Sequence, residues 1–175
     1  PQCTPAARVG VVGLRTNLSR ACVERCWVPT DAMLLLVHAA VTWFMVGLIW
    51  TVQVVHYPLF AGVGVDGYVA YQRSHMSRIT WIVAPAMFVE LGAAALLVMQ
   101  VGSPLAWAGA VLLGLVWLST FAVQVPLHGK LTAAFDVDAH RALVATNWAR
   151  TILWSSRGVI ALLLLQPFFN LEMTS

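Results

Sequence analysis

Four long apolar runs constrain the fold of this chain more than any other feature. Each is almost free of formal charge and approaches the ~20 residues that a helix needs to cross the ~30 Å hydrocarbon core of a bilayer. The runs span residues 32–55, 79–101, 105–125 and 149–169. In lipid, only helices and closed barrels satisfy every backbone hydrogen-bonding group. The sequence therefore predicts an all-α fold, a bundle of four transmembrane helices.

The composition excludes an ordinary soluble domain. Charged residues make up 10% of the 175 positions and hydrophobic residues 60%, whereas a typical soluble domain carries about 25% charged residues. Such a chain cannot cover a globular surface with polar groups, so we expect the lipid bilayer to be its main partner. Its basic residues are too few and too scattered to indicate nucleic-acid binding.

The chain divides into three parts. Residues 1–31 contain four arginines and all three cysteines without a clear helical period, and Met33 stands just before the first apolar run. We expect residues 1–31 to be an N-terminal extension that is disordered or not functional. Residues 32–169 are predicted to form the membrane domain, and residues 170–175 a short tail. The extension lacks the basic start, apolar middle and cleavage site of a signal peptide.

Two pairs of similar segments indicate an internal duplication. The stretch "WTVQVVHYPLF" at 50–60 resembles "STFAVQVPLHGKL" at 119–131, and "SHMSRITW" at 74–81 resembles "TNWARTILW" at 146–154. A shift of about 72 positions superposes the two halves, so each half would be one two-helix unit. The alternative is a chance likeness between short apolar helices. Between the helices of each unit the sequence predicts a long loop.

The predicted topology gathers most polar residues at one end of the bundle. Helices one and three end, and helices two and four begin, on the same side of the membrane. Four histidines lie there, His56, His75, His128 and His140. The same end carries three amides and two arginines, Gln53, Gln124, Asn147, Arg78 and Arg150. Loops rich in Lys and Arg usually lie in the cytoplasm, so the basic residues of the two loops favour a cytoplasmic location for this end. If the arginines of the extension are counted as well, the two sides of the membrane are nearly balanced and the preference weakens.

These residues suggest a cofactor site. Neutral imidazoles bind zinc, copper and iron and can also hold haem, so the four histidines are candidate ligands. The three amides are candidate cofactor-binding residues, and Arg78 and Arg150 are candidate catalytic residues. No H-x-x-H motif is present, so the ligands would come from separate helices. The alternative is that each histidine is only a hydrogen-bonded residue at the membrane interface.

Glu90 and Arg157 form a second candidate pair. Glu90 is the only acidic residue within the four runs, and Arg157 lies inside the last run. An unpaired charge at this depth is costly, so we expect Glu90 to face the bundle interior with Arg157 as its partner. The pair is either a structural salt bridge or part of a catalytic site, and the sequence favours neither.

Two functional hypotheses remain open, and a third ranks below them. The first is a metal- or haem-dependent oxidoreductase that acts on a lipid-soluble substrate. The second is a non-catalytic subunit of a larger membrane complex, whose polar residues form hydrogen bonds between helices. The third is a small-solute transporter. Whether the protein is an enzyme is undecided at this point.

Four motifs together resemble a known family. They are "TWFMVGLIWTVQVVHYPLF", "VAPAMFVE", "VPLHGKL" and "TNWARTILWSSRG". Over roughly residues 33–168 this pattern resembles a family of uncharacterised bacterial four-helix integral membrane proteins. More distantly, the layout is similar to that of the anthrone-oxygenase-like small membrane proteins. The resemblance implies a location in the bacterial inner membrane and carries no known activity with it.

Overall fold

The computed structural model describes residues 29–172, with side chains described for residues 32–166. Most of the predicted extension and the end of the predicted tail therefore lie outside the described residues. Helix α1 runs through Pro29–Thr51, a π-helical turn at Val52–His56 and a last turn at Tyr57–Phe60. Helix α2 spans Val65–Gln100.

The second half of the chain repeats this order of elements. Helix α3 comprises Pro104–Ser119, a π-helical turn at Thr120–Gln124 and Val125–Ala133, and helix α4 spans Val137–Glu172. All four helices are long and apolar enough to cross a bilayer, and the described residues contain no strand. The predicted all-α bundle of four membrane-spanning helices is confirmed, and the protein has the architecture of an integral membrane protein.

The two long loops predicted at 56–78 and 126–148 are wrong. Most of these residues are helical, and the connections are only residues 61–64 and 134–136. The apolar runs mark the part of each helix that lipid can surround, whereas the backbone stays helical beyond it. At ~1.5 Å per residue, α2 and α4 are each about 54 Å long, well beyond the ~30 Å of hydrocarbon.

Local sequence explains where the helices begin. Ser103 precedes α3, its hydroxyl accepts a hydrogen bond from the Ala106 N–H at 3.2 Å, and Pro104 occupies the first turn. Asp136 precedes α4, and its carboxylate accepts from the N–H groups of Asp138 and Ala139. Each cap satisfies backbone donors that have no partner within the helix.

Each π-helical turn lies just before a proline. The Tyr57 N–H donates to the Val52 carbonyl, and the Val125 N–H donates to the Thr120 carbonyl, so both bonds span five residues. Pro58 and Pro126 follow directly and have no N–H to continue the regular ladder. The turns carry Gln53, His56 and Gln124, and such turns are frequent at functional sites.

Three apolar clusters form the core along the bundle axis. One, around Leu35 and Leu97, lies at the end near the α2–α3 turn. A central cluster surrounds Met45 and Trp154, and a third, around Phe60, lies at the opposite end. The buried polar side chains lie among these clusters, so all four helices present polar groups to the interior.

Candidate functional site

The deepest polar group in the bundle is the ion-pair site, formed by His38, Thr42, Glu90, Gly109 and Arg157. Glu90 and Arg157 are 0% and 1% exposed, and they form a salt bridge. The Thr42 hydroxyl donates to Glu90, and the Arg157 guanidinium donates to the Gly109 carbonyl. Each of the four helices therefore contributes at least one group, and the predicted pairing of Glu90 with Arg157 is confirmed.

His38 belongs to this site, which the sequence did not predict. Its Nδ1 lies 3.6 Å from the Glu90 carboxylate and has no hydrogen-bond partner. His38 and Thr42 are four residues apart, so they share one face of α1. The four-residue spacing of His38 and Thr42 could have indicated this site from the sequence. The spacing could be interpreted only once Glu90 was known to lie on the facing helix.

A second polar group, the histidine end, consists of His56, Tyr57, Gln72, His75 and His128. His56 Nε2 lies 3.2 Å from His75 Nδ1, and the rings of His75 and His128 are 6.5 Å apart. The Gln72 amide donates to His128 Nδ1 at 2.7 Å. His128 Nε2 therefore carries the proton and donates to the Tyr57 hydroxyl at 3.0 Å. Histidines from α1, α2 and α3 thus meet at the predicted end.

His140 is separate from the other three predicted ligands. Its Nε2 donates at 2.9 Å to the carbonyl of Tyr57, near the end of α1. Carbonyls in the last turn of a helix lack an internal partner, so His140 caps α1. Among residues 32–166, whose side chains the structure describes, no group of three or more His, Cys, Asp or Glu side chains could hold a metal ion. The proposed metal or haem stays a prediction.

The three predicted amides have different roles. Asn147 donates to Gln53 Oε1 at 2.8 Å, and Gln53 donates to the Val144 carbonyl at 3.2 Å, so both link α1 to α4. Gln124 donates to Thr146 at 3.0 Å, but its Oε1 has no partner. Only Gln124 retains a free polar atom for a ligand.

The two remaining predicted arginines differ in burial. Arg150 is 8% exposed, and its Nη1 donates to Asn147 Oδ1 at 3.2 Å. The Tyr57 side chain lies beside it, and its Nε has no partner. Among the described residues, no acidic side chain forms a salt bridge with Arg150. Arg78 is exposed and lines a surface groove outside the buried network.

An apolar cavity of ≈ 350 Å³ connects Arg150 with the lipid-facing side of the bundle. It opens between α2 and α3 and is also lined by α1, with polar groups from Tyr57, His75, Gln124, His128 and Arg150 in its lining. The rest of the lining is mainly aliphatic and aromatic, including Phe88 and Phe121. These two residues, on opposite helices, are 63% and 60% exposed, so the cavity adjoins the surface that lipid covers.

Two residues of this region were missed by sequence reasoning. Gln72 fixes the tautomer of His128, and Trp117 lines the cavity with a buried Nε1–H that has no partner. Gln72 lies three residues before His75, which places it on the same face of α2. Comparisons with protein-family models, curated proteins and solved structures found no match for this chain.

Proposed function

We propose that this integral membrane protein binds a lipid-soluble molecule with an anionic oxygen head group in the cavity between α2 and α3. The head group lies against Arg150, and the apolar part of the molecule lies against the cavity wall. The observation that carries this proposal is a buried guanidinium without an acidic partner among the described residues.

Charge is the first argument for an anionic ligand. A cation inside a membrane bundle is costly and is normally paired. Arg157 on the same helix has Glu90 as its counter-ion, whereas Arg150 has only neutral partners, Asn147 and Tyr57. A bound carboxylate or phenolate supplies the missing negative charge and accepts from the free Nε–H.

The location of the cavity supports access from the bilayer. Its walls are mainly apolar and come from α1, α2 and α3, and Phe88 and Phe121 flank it at the lipid-facing surface. A hydrophobic molecule dissolved in the membrane can reach Arg150 between these helices without crossing water. Apolar pockets with a few converging polar groups are the usual form of a small-molecule site.

The histidines give the site a means of moving protons. His75 and His128 line the cavity, and His75 is hydrogen-bonded to His56, nearer the end of the bundle. A neutral imidazole carries a proton on one ring nitrogen and can accept one at the other. A proton can therefore pass from His56 to His75 and on to a bound head group, as oxidation or reduction of a lipid-soluble substrate commonly requires.

Equilibrium binding of hexadecanoate to the purified full chain in lipid nanodiscs tests the proposal. Arg150→Gln should weaken binding about ten- to a hundredfold, the effect of losing a charged hydrogen bond. Arg78→Gln is the matched control, because it removes an exposed arginine outside the cavity, and should bind like the wild type. Equal affinity of Arg150→Gln and wild type would exclude this role of Arg150.

A metal- or haem-dependent oxidoreductase is the second candidate. The observation in its favour is the 3.2 Å separation of His56 Nε2 and His75 Nδ1 beside the cavity. Two imidazole nitrogens at ~2.0–2.1 Å from one metal ion have a similar separation. A Soret band or stoichiometric iron, copper or zinc in detergent-purified protein would support it. A colourless, metal-free protein that co-purifies with other membrane subunits would favour the structural-subunit hypothesis instead.

A further inference from the structure

A second apolar pocket continues the α2–α3 surface toward the opposite end of the bundle. We call it the chain groove, and it has a volume of ≈ 590 Å³. Its lining is apolar throughout, with Leu91, Ala94 and Met99 from α2 and Trp107, Ala110 and Gly114 from α3. Alanine and glycine at these positions leave room where larger side chains would fill the space between the helices.

The chain groove adjoins the cavity. Trp117 lines both, so the two pockets meet at this side chain. Along α3, the distance from Gln124 in the cavity to Trp107 at the far end of the groove is roughly 25 Å at ~1.5 Å per residue. The polar groups are therefore confined to one end of an elongated apolar channel.

We infer that the cavity and the chain groove form one binding channel for a long-chain carboxylate, whose chain extends from Arg150 past Trp117 toward Trp107. This inference rests on the proposed function of the cavity and adds the class of ligand to it. A short head group alone would fill only the cavity. A long unbranched chain fills the groove as well.

Two buried polar side chains distinguish this channel from an ordinary lipid-covered surface. Gln124 and Arg150 are 1% and 8% exposed, and each has a polar atom without a protein partner. Both side chains line the cavity end of the channel. A carboxylate with a single chain accepts from the Arg150 Nε–H and fills the groove with one molecule, whereas Gln124 Oε1 is an acceptor and needs a donor from elsewhere.

Gly114 offers a direct way to fill the groove. A Cβ added at this position would meet no atom within 4 Å, so a side chain can begin there and extend into the groove. Gly92 is the matched control, because it also has nothing within 4 Å but does not line either pocket. Both substitutions add the same side chain to an exposed helix position.

Photolabelling of the full chain in nanodiscs tests the channel. Hexadecanoate with a diazirine at its methyl end should label residues near Met99 and Trp107 in the wild type. In Gly114→Leu this labelling should fall about tenfold, as expected when a side chain occupies the space of the ligand, and in Gly92→Leu it should not change. Octanoate with the same group should label the cavity equally in all three proteins.

The outcomes separate failure of the channel from failure of the proposed function. If octanoate does not label the cavity, or labels it equally in Arg150→Gln, the proposed function is wrong and the channel with it. If octanoate labelling depends on Arg150 but hexadecanoate labels outside the groove, only the channel is wrong. Groove labelling that persists in Arg150→Gln would show that ordinary bilayer lipid occupies the groove, which also overturns the inference.

Discussion

Arg150 and Arg157 are two helical turns apart on α4, yet their surroundings are opposite. Arg157 is bonded to the Glu90 carboxylate and to the Gly109 carbonyl, in a site to which every helix contributes. Arg150 has amide and phenol partners, no acidic partner among the described residues, and a cavity beside it. The difference between the two arginines is therefore the counter-ion, since Nε is without a partner in both.

This difference indicates separate roles for the two arginines. A buried charge with a protein counter-ion holds helices together, and removing one partner leaves the other uncompensated. A buried charge without a counter-ion gives affinity for an anion. We therefore assign the ion-pair site to stability and Arg150 to ligand binding, which separates residues that the sequence grouped together as catalytic candidates.

The largest expected effect on stability is at the ion pair. Glu90→Gln keeps the side-chain shape, removes the charge and leaves Arg157 buried without a counter-ion. The free energy of unfolding in detergent should fall by about 3–5 kcal/mol. The double variant Glu90→Gln, Arg157→Gln should recover much of this loss, because no uncompensated charge remains. A double variant as unstable as the single one would contradict a structural pair.

A smaller loss is expected at Thr42. Thr42→Val removes the hydroxyl that donates to the Glu90 carboxylate and keeps the volume of the side chain. The expected loss is about 1.5–3 kcal/mol, typical of a hydrogen bond to a charged group. Thr80→Val is the control, because its hydroxyl bonds only to a carbonyl of its own helix. Equal losses in the two variants would remove Thr42 from the ion-pair site.

At the histidine end we expect a still smaller effect. Tyr57→Phe removes the acceptor of the His128 Nε2–H at 3.0 Å and should lower the free energy of unfolding by about 1 kcal/mol. The His128 Nε2–H then loses its hydrogen-bond acceptor, so the ¹⁵N chemical shifts of labelled histidine should change. Unchanged shifts would mean that the Gln72 amide alone fixes the ring.

The smallest effect on stability is expected at Arg150. Arg150→Gln loses the bond to Asn147 but also removes an uncompensated buried charge, so the free energy of unfolding should change by no more than ~1 kcal/mol. A large loss is expected instead for Arg157→Gln, because this change leaves Glu90 buried without a counter-ion. A loss at Arg150 as large as that at Arg157 would mean that the two sites do not differ.

The helices could be predicted from the sequence because lipid imposes a single requirement, an apolar run of sufficient length. The ends of the helices could not be predicted, because residues 65–78 and 137–148 are polar enough to resemble loops. The π-helical turns before Pro58 and Pro126 also left no clear signal. A proline indicates a missing backbone donor, but not how the helix accommodates it.

For the site, the sequence predicted which residues lie at one end but not how they are bonded. The meeting of His56, His75 and His128 follows from topology and could be predicted. The capping role of His140 could not, because it depends on the Tyr57 carbonyl at the end of another helix. Arg150 has no acidic partner among the described residues and adjoins a cavity. Both features depend on how the helices pack, so they cannot be predicted from the spacing of residues along one helix.

We propose that a bound anion pairs with Arg150 as Glu90 pairs with Arg157, and the variant Asn147→Asp provides the sharpest test of this pairing. Asn147 Oδ1 accepts from Arg150 at 3.2 Å, so this change supplies a carboxylate within the protein and keeps the guanidinium. Binding of hexadecanoate should weaken about tenfold or more, while binding of the neutral hexadecanol should stay the same. Undiminished binding of hexadecanoate to Asn147→Asp, or an equal loss of binding for hexadecanoate and hexadecanol, would contradict the pairing of a bound anion with Arg150.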